Sequence, residues 1–229
     1  MTSRQILTEV ATYNIGHIAD EIYRDIIEPF IKSVKAGGKF KGTGYDISEY
    51  MKPIFRKYTD LPFEITLFFR QSIKPVAQWY INTEGLKAKI LLAITKEDLK
   101  SLNVKEIKDK MGGFLIHELS HAVDRIRLKS EKEFMGSANP VDGWYNYVKD
   151  PSETNAYFHQ FIALAKKDKS YYNKIATMYS LELYLLWRMP AIADLKEENP
   201  NGFDAYFKKF VKRLARENML PKSLLAKSS

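Results

Sequence analysis

The 229-residue chain contains no cysteine and only four histidines. Without Cys, disulfide frameworks, thiolate zinc fingers, iron–sulfur clusters and cysteine nucleophiles are excluded together. Any metal must be held by His, Asp and Glu, with His17, His117, His121 and His159 as the whole supply of imidazoles. Long hydrophobic stretches are missing as well. No uninterrupted apolar run exceeds five residues, Ile90–Ile94 being one, against roughly 18 for a transmembrane helix. Met1–Ala11 carries Arg4 and Glu9 and no apolar signal-peptide core, which predicts a cytoplasmic protein. There is no internal repeat and no nucleic-acid-binding signature. The basic loop Lys39-Phe40-Lys41-Gly42-Thr43-Gly44 lacks the spacing of a phosphate-binding loop.

What the chain does have is apolar side chains. A hydrophobic fraction of 45% with 13% aromatics is enough for a packed core, so the composition reads as a folded protein rather than a disordered one. The net charge is +8, and the segment 196–229 holds half of it, with eight basic against four acidic residues. Within that segment Phe203, Tyr206, Phe207, Phe210, Val211 and Leu214 form one helical stripe, and Lys208, Lys209, Lys212, Arg213 and Arg216 occupy the remaining faces. The plain reading is an amphipathic helix docked on a core with a solvated basic face. The other is a contact for an acidic partner, nucleic acid or a membrane surface.

Periodicity divides the chain into a helical N-terminal region (1–60), a central region (61–168) and a helical C-terminal region (169–229). Ile6, Val10, Tyr13, Ile18, Ile22, Ile26 and Ile27 make a helical stripe that stops at Gly37-Gly38, followed by the loop Lys39–Gly44. A second helix starts near Asp46 or Ser48 and runs to about Tyr58, with Pro53 inside it. Pro62–Phe69, Val76–Asn82 and Leu86–Thr95 are β-branched and aromatic, and Thr83-Glu84-Gly85 reads as a hairpin turn. This predicts a small, mainly antiparallel sheet of about three strands. Asn103 then caps a long helix bearing Val104, Ile107, Met111, Phe114, Leu115, Ala122 and Ile126. A loop over Ser130–Asp150 leads to a helix opened by Pro151, and two more helices follow, about Tyr171–Met189 and Phe203–Glu217, with roughly the last ten residues as a tail. The fold class expected is α+β.

Inside the long helix stands His117-Glu118-Leu119-Ser120-His121, an H-E-x-x-H motif that uses half of all the histidines. On a helix, positions i and i+4 lie one above the other, so two imidazoles there reach one ion. Glu118, one step round the helix, is displaced from that axis but can touch a water on the metal. Two His and a water do not complete a catalytic zinc site. Candidates for the third ligand are Asp124, Glu131, Glu133, Asp142, Asp150, Glu153 and His159. Asp124, three residues after His121, reads as the acceptor of a ligand His ring N–H, or as a surface acid beside Arg125 and Arg127. Glu153 is the better ligand: it starts a helix, and Ala156 at i+3 lets a neighbouring helix come close. Its bland alternative is a first-turn acid complementing the helix dipole. His159 lies off its face.

The motif, the sheet before it and a downstream helical Glu resemble the zincin metallopeptidases, with a gluzincin-type ligand set of two His and one Glu. His117–Val123 (HELSHAV) is similar to the active-site helix of thermolysin-like peptidases, whereas Glu153-Thr-Asn-Ala156 resembles the E-x-x-A helix of small ImmA/IrrE-type and phage-encoded HExxH proteins. The resemblance covers about 86–168. It implies a zinc-dependent hydrolysis of peptide bonds in a protein or peptide substrate, with zinc on His117, His121 and Glu153, Glu118 as general base, and a phenol such as Tyr157, Tyr145 or Tyr147 at the oxyanion. It also implies an edge strand, Val76–Asn82 or Leu86–Thr95, that pairs with substrate. Gly112-Gly113, one turn before the motif, would let it approach. The competing class is a non-catalytic binding protein on the same scaffold.

Overall fold

The computed structural model describes residues 15–39, 42–57, 62–72, 76–81, 86–128 and 144–226. The readings placed on Ile6, Val10, Tyr13, the Thr83–Gly85 turn, and the acids Glu131, Glu133 and Asp142 lie outside those residues. The chain is α+β, mostly helical with a small mixed sheet. Its described residues fall into two compact units, one within 13–134 and one within 135–229.

In the first unit, residues 15–35 form helix α1. Its middle, Tyr23–Ile27, is wound as a π turn in which the Glu28 N–H donates to the Tyr23 carbonyl. Pro29 follows directly and has no N–H to offer an ordinary turn; the wider turn removes the clash its ring would make with the preceding carbonyls. Then come β1 (Thr43–Asp46), α2 (Ser48–Phe55), β2 (Phe63–Ser72), β3 (Val76–Ile81), β4 (Leu86–Thr95), α3 (Lys96–Ser101) and α4 (Val104–Leu128). The expected loop Lys39–Gly44 ends instead in strand β1, which pairs with β2 from Thr43↔Phe69 to Asp46↔Thr66.

Sheet order is β1-β2-β4-β3. Neighbours β1/β2 and β3/β4 run antiparallel, but β2 and β4 run parallel, from Phe63↔Leu86 to Ser72↔Thr95. Two of the three pairings are antiparallel, as expected, and the parallel β2/β4 pair makes the sheet mixed. The reason lies in β4. Leu92, Ala93, Ile94 and Thr95 are all buried in succession, so both faces of its C-terminal half are covered. A strand apolar on both faces belongs in the interior of a sheet, and β4 takes the slot between β2 and β3. Along β2 the alternation is ordinary: Ile65, Leu67 and Phe69 face the core, Glu64 and Arg70 the solvent.

Helix α4 packs on β3 and β4 and against α1 and α2. Its start is a capping box: the Glu106 N–H donates to Asn103 Oδ1 at 2.9 Å and the Asn103 N–H to Glu106 Oε2 at 2.8 Å.

The second unit holds α5 (Trp144–Lys149), α6 (Pro151–Lys167), α7 (Lys169–Tyr172), α8 (Met178–Arg188), α9 (Pro190–Glu198), α10 (Pro200–Arg216) and α11 (Lys222–Leu225). Helix α5 occupies the end of the expected Ser130–Asp150 loop. Between the two expected C-terminal helices lies a third, α9, because Pro190 closes α8 and opens the next helix at N1. The tail reading is corrected as well: Leu224 is buried, and Ser223 Oγ donates to the Asn173 carbonyl at 2.7 Å. The stripe of α10 packs as its spacing predicts, with Phe203, Tyr206, Phe210 and Leu214 buried among Phe158, Phe161 and Tyr184. At about 1.5–3 kcal/mol for each buried large apolar side chain, that face accounts for the docking of the helix.

Candidate metal centre

From Met111 to Asp124 every residue of α4 except Phe114 is buried. A helix covered on all sides is normally apolar all round. This one carries His117, Glu118, Ser120, His121 and Asp124 within that stretch, and both histidines are only 6% exposed. Burying groups of this kind is unfavourable unless they are partnered. Ser120 bonds locally, its hydroxyl donating to the Ile116 carbonyl at 2.7 Å. His117 and His121 belong to the group described next.

The rings of His117 and His121 stand nearly perpendicular, with centroids 4.8 Å apart. Their Nε2 atoms are 3.2 Å apart, so both face one locus. Two nitrogens held at about 2.0–2.1 Å by one tetrahedral ion sit about 3.3–3.4 Å from each other, close to the spacing observed. That spacing also suits an N–H···N bond between neutral rings, so the third group decides. The ligand atoms of His117, His121 and Glu153 all lie within 4.8 Å of one another. Two imidazoles and a carboxylate, mostly enclosed, form a donor set that could hold a metal ion, and among the described residues no other His/Asp/Glu trio gathers so closely.

Among the described residues, two of the competing ligand candidates have other places. Asp150 caps α6: the Ser152 N–H donates to its Oδ1 at 2.8 Å and the Ser152 hydroxyl at 2.6 Å. His159 is buried with its ring 6.3 Å from that of Phe158, in keeping with a packing role. Asp124 is 4% exposed, which removes its reading as a surface acid, and Glu118 is equally enclosed.

Tyr157, one turn beyond Glu153 on α6, is buried and hydrogen-bonded to Tyr147. Its phenol is held well above the usual tyrosine range, first by burial and then by the nearby Tyr147, Glu153 and Tyr206. Tyr147 lies on α5, not in a loop; the side chain of Tyr145 lies outside the described residues.

One residue had a role the sequence reading missed. Arg213, counted there on the basic face of α10, turns inward. Its guanidinium lies 3.8 Å from the centroid of the Phe158 ring, donates to Asn155 Oδ1 at 2.6 Å and to Glu217 Oε1 at 2.9 Å. It thereby ties α10 to α6, the helix that carries Glu153. Two signals were present: Glu217 at i+4, and Leu214 of the buried stripe next to it.

Comparison of the chain with protein-family models, with curated proteins and with solved structures gives no match. Among the described residues no helix is long and apolar enough to cross a membrane.

Proposed function

We propose that the protein is a zinc-dependent peptidase that hydrolyses peptide bonds of a protein or peptide substrate. The observation that carries the reading is the convergence of His117, His121 and Glu153 ligand atoms within 4.8 Å, on an H-E-x-x-H helix. A zinc ion on those three would supply Lewis acidity and a bound water with a pKa lowered toward about 7.

Glu118, adjacent to His117 on α4 and enclosed with it, takes the proton of the attacking water and returns it to the leaving amine. Asp124, one turn after His121, accepts a ring N–H of a ligand histidine and fixes the tautomer that leaves the other nitrogen free to bind. Tyr157 remains a neutral phenol at physiological pH, and a protonated hydroxyl one turn from Glu153 suits an oxyanion donor. Strand β3 is an edge of the sheet among the described residues and packs on α4, so it is the strand to which an extended substrate adds; β4, the other candidate, is interior.

The test combines metal analysis with cleavage of a peptide library by wild type and by Glu118→Gln. The expected result is one zinc per chain in both proteins after dialysis, and a loss of at least 100-fold in cleavage rate in the variant. Stoichiometric zinc without Glu118-dependent cleavage would leave the second reading, a binding protein on the same scaffold. That reading is favoured by the exposed Lys208, Lys209, Lys212 and Arg216 of α10, a face suited to an acidic partner.

A further inference from the structure

Within the helical unit formed by residues 135–229, apolar side chains left in water gather in one segment. Of the six large hydrophobic residues exposed among the described residues, five lie within 171–187: Tyr171, Met178, Tyr179, Leu183 and Trp187. On α8, Tyr179, Leu183 and Trp187 stand at i, i+4 and i+8, one stripe along the helix. Their exposures are 67%, 47% and 65%. The helix docks through its other side, with Leu181, Tyr184 and Leu185 buried. A helix whose core face is complete needs no second apolar face for folding. Tyr171 of α7 widens the stripe. Its ring centroid is 6.2 Å from that of Trp187, and the two rings lie 5.8 and 5.9 Å from the ring of Tyr184. Single exposed apolar residues are ordinary, whereas a contiguous group marks an interaction face.

The charge around this face has one sign. The acids of the segment are engaged within the fold: Asp168 pairs with Arg188 at 3.2 Å, and Glu182 pairs with Lys196. Lys169, Lys174 and Lys222 are exposed and have no ion-pair partner among the described residues. Lys169 opens α7, two residues before Tyr171. Lys174 and Lys222 flank the hydrogen bond from Ser223 Oγ to the Asn173 carbonyl.

We propose that this patch on α7 and α8 docks the protein on an anionic lipid surface, with Tyr171, Tyr179 and Trp187 at headgroup level and Lys169, Lys174 and Lys222 drawn to the lipid phosphates. Rings with an apolar body and a polar tip are the side chains that settle at a membrane interface. Each lysine close to an anionic leaflet adds attraction that needs no directed partner. A second copy of the chain fits the patch poorly, because a symmetric contact sets each lysine cluster against its own kind. The proposal is independent of the metal ligands and of peptidase activity.

Co-sedimentation of the full-length protein with vesicles tests it. One set of vesicles is phosphatidylcholine alone, and the other carries about 30 mol% phosphatidylserine. The variants are Leu183→Glu, Trp187→Ala and the double change Lys169→Ala with Lys174→Ala. All four positions are exposed, so the variants retain the fold, which circular dichroism and thermal unfolding check. The expected result is association with the anionic vesicles at least tenfold stronger than with the neutral ones, weakened fivefold or more by each variant and by added salt. No association with the anionic vesicles, a preference under tenfold, or a loss under fivefold in Leu183→Glu or Trp187→Ala would each overturn the proposal. An unaffected lysine double variant would overturn the assignment of the cations. Two further outcomes would replace the lipid with another occupant and so overturn the proposal. A lipid-free dimer in analytical ultracentrifugation, abolished by Leu183→Glu, would assign the patch to a second copy. Binding of polyglutamate, weakened by Leu183→Glu and without vesicle association, would assign it to an acidic protein.

Discussion

At Glu153 two demands fall on one carboxylate. It stands in the first turn of α6, where the helix dipole favours an acid, and its oxygen lies within 4.8 Å of both histidine nitrogens. A dipole partner contributes only about 0.3–1 kcal/mol, whereas a third protein ligand determines whether an ion stays. Glu153→Ala is therefore expected to weaken zinc affinity at least tenfold while lowering Tm by only a few degrees. Competition with a fluorescent chelator measures the first quantity and thermal unfolding the second. A variant that binds zinc as tightly as wild type would return Glu153 to the helix dipole. Arg213 shows the same competition decided the other way: a residue type common on solvated faces is drawn inward because Asn155, Glu217 and the Phe158 ring together satisfy it.

Among the elements, the link between β1 and α2 has a titration of its own. The Ser48 N–H and hydroxyl both donate to Asp46 Oδ1, at 2.9 and 2.5 Å, and Ser48 Oγ in turn accepts the Ile65 N–H of β2 at 2.9 Å. The side-chain and backbone bonds from Ser48 hold the Asp46 carboxyl below its usual range. A depressed folded-state pKa means stability that is complete above the unfolded value near 3.9 and is lost as pH falls through the folded one. Asp46→Ala is thus expected to lower Tm at pH 7 and to have a smaller effect near pH 2.5, as read by calorimetry at both pH values. An equal loss at both would assign the effect to backbone geometry alone.

Elements with strong local signals were legible from the sequence. These include the three long strands, the capped start of α4 at Asn103, the Pro151 start of α6 and the packed stripe of α10. The π turn before Pro29, strand β1 and the order β2-β4-β3 were not. Pairing partners depend on which strand has two apolar faces to cover, a property of the assembled sheet that hairpin spacing does not encode. Helix α9 was not legible because its nine residues, Pro190–Glu198, are bounded by prolines, and Pro marks a helix start as readily as a break. At the site, the His117/His121 pair followed from a four-residue spacing. Glu153 was preferred among seven candidates for its place at a helix start, and its ligand atom lies within 4.8 Å of the histidine nitrogens.

For the whole molecule, the shortage of ligand types becomes a constraint on chemistry. With no Cys and four His, a metal centre here is confined to a His-and-carboxylate set, and such a set with three protein ligands leaves a position for water or substrate. Half of the +8 charge lies in the segment 196–229, with Lys208, Lys209, Lys212 and Arg216 exposed on α10, so that half bears on partners. A single divalent ion would partner both buried imidazoles of α4 and the Glu153 carboxylate at once. Locating that ion is the most direct measurement. Crystals of the zinc-loaded protein, with anomalous diffraction recorded on both sides of the zinc edge, are expected to show one strong peak bonded at about 2.0–2.2 Å to His117, His121 and Glu153. A map without a peak at that position, or with an ion bound there that Glu153 does not reach, would contradict the account.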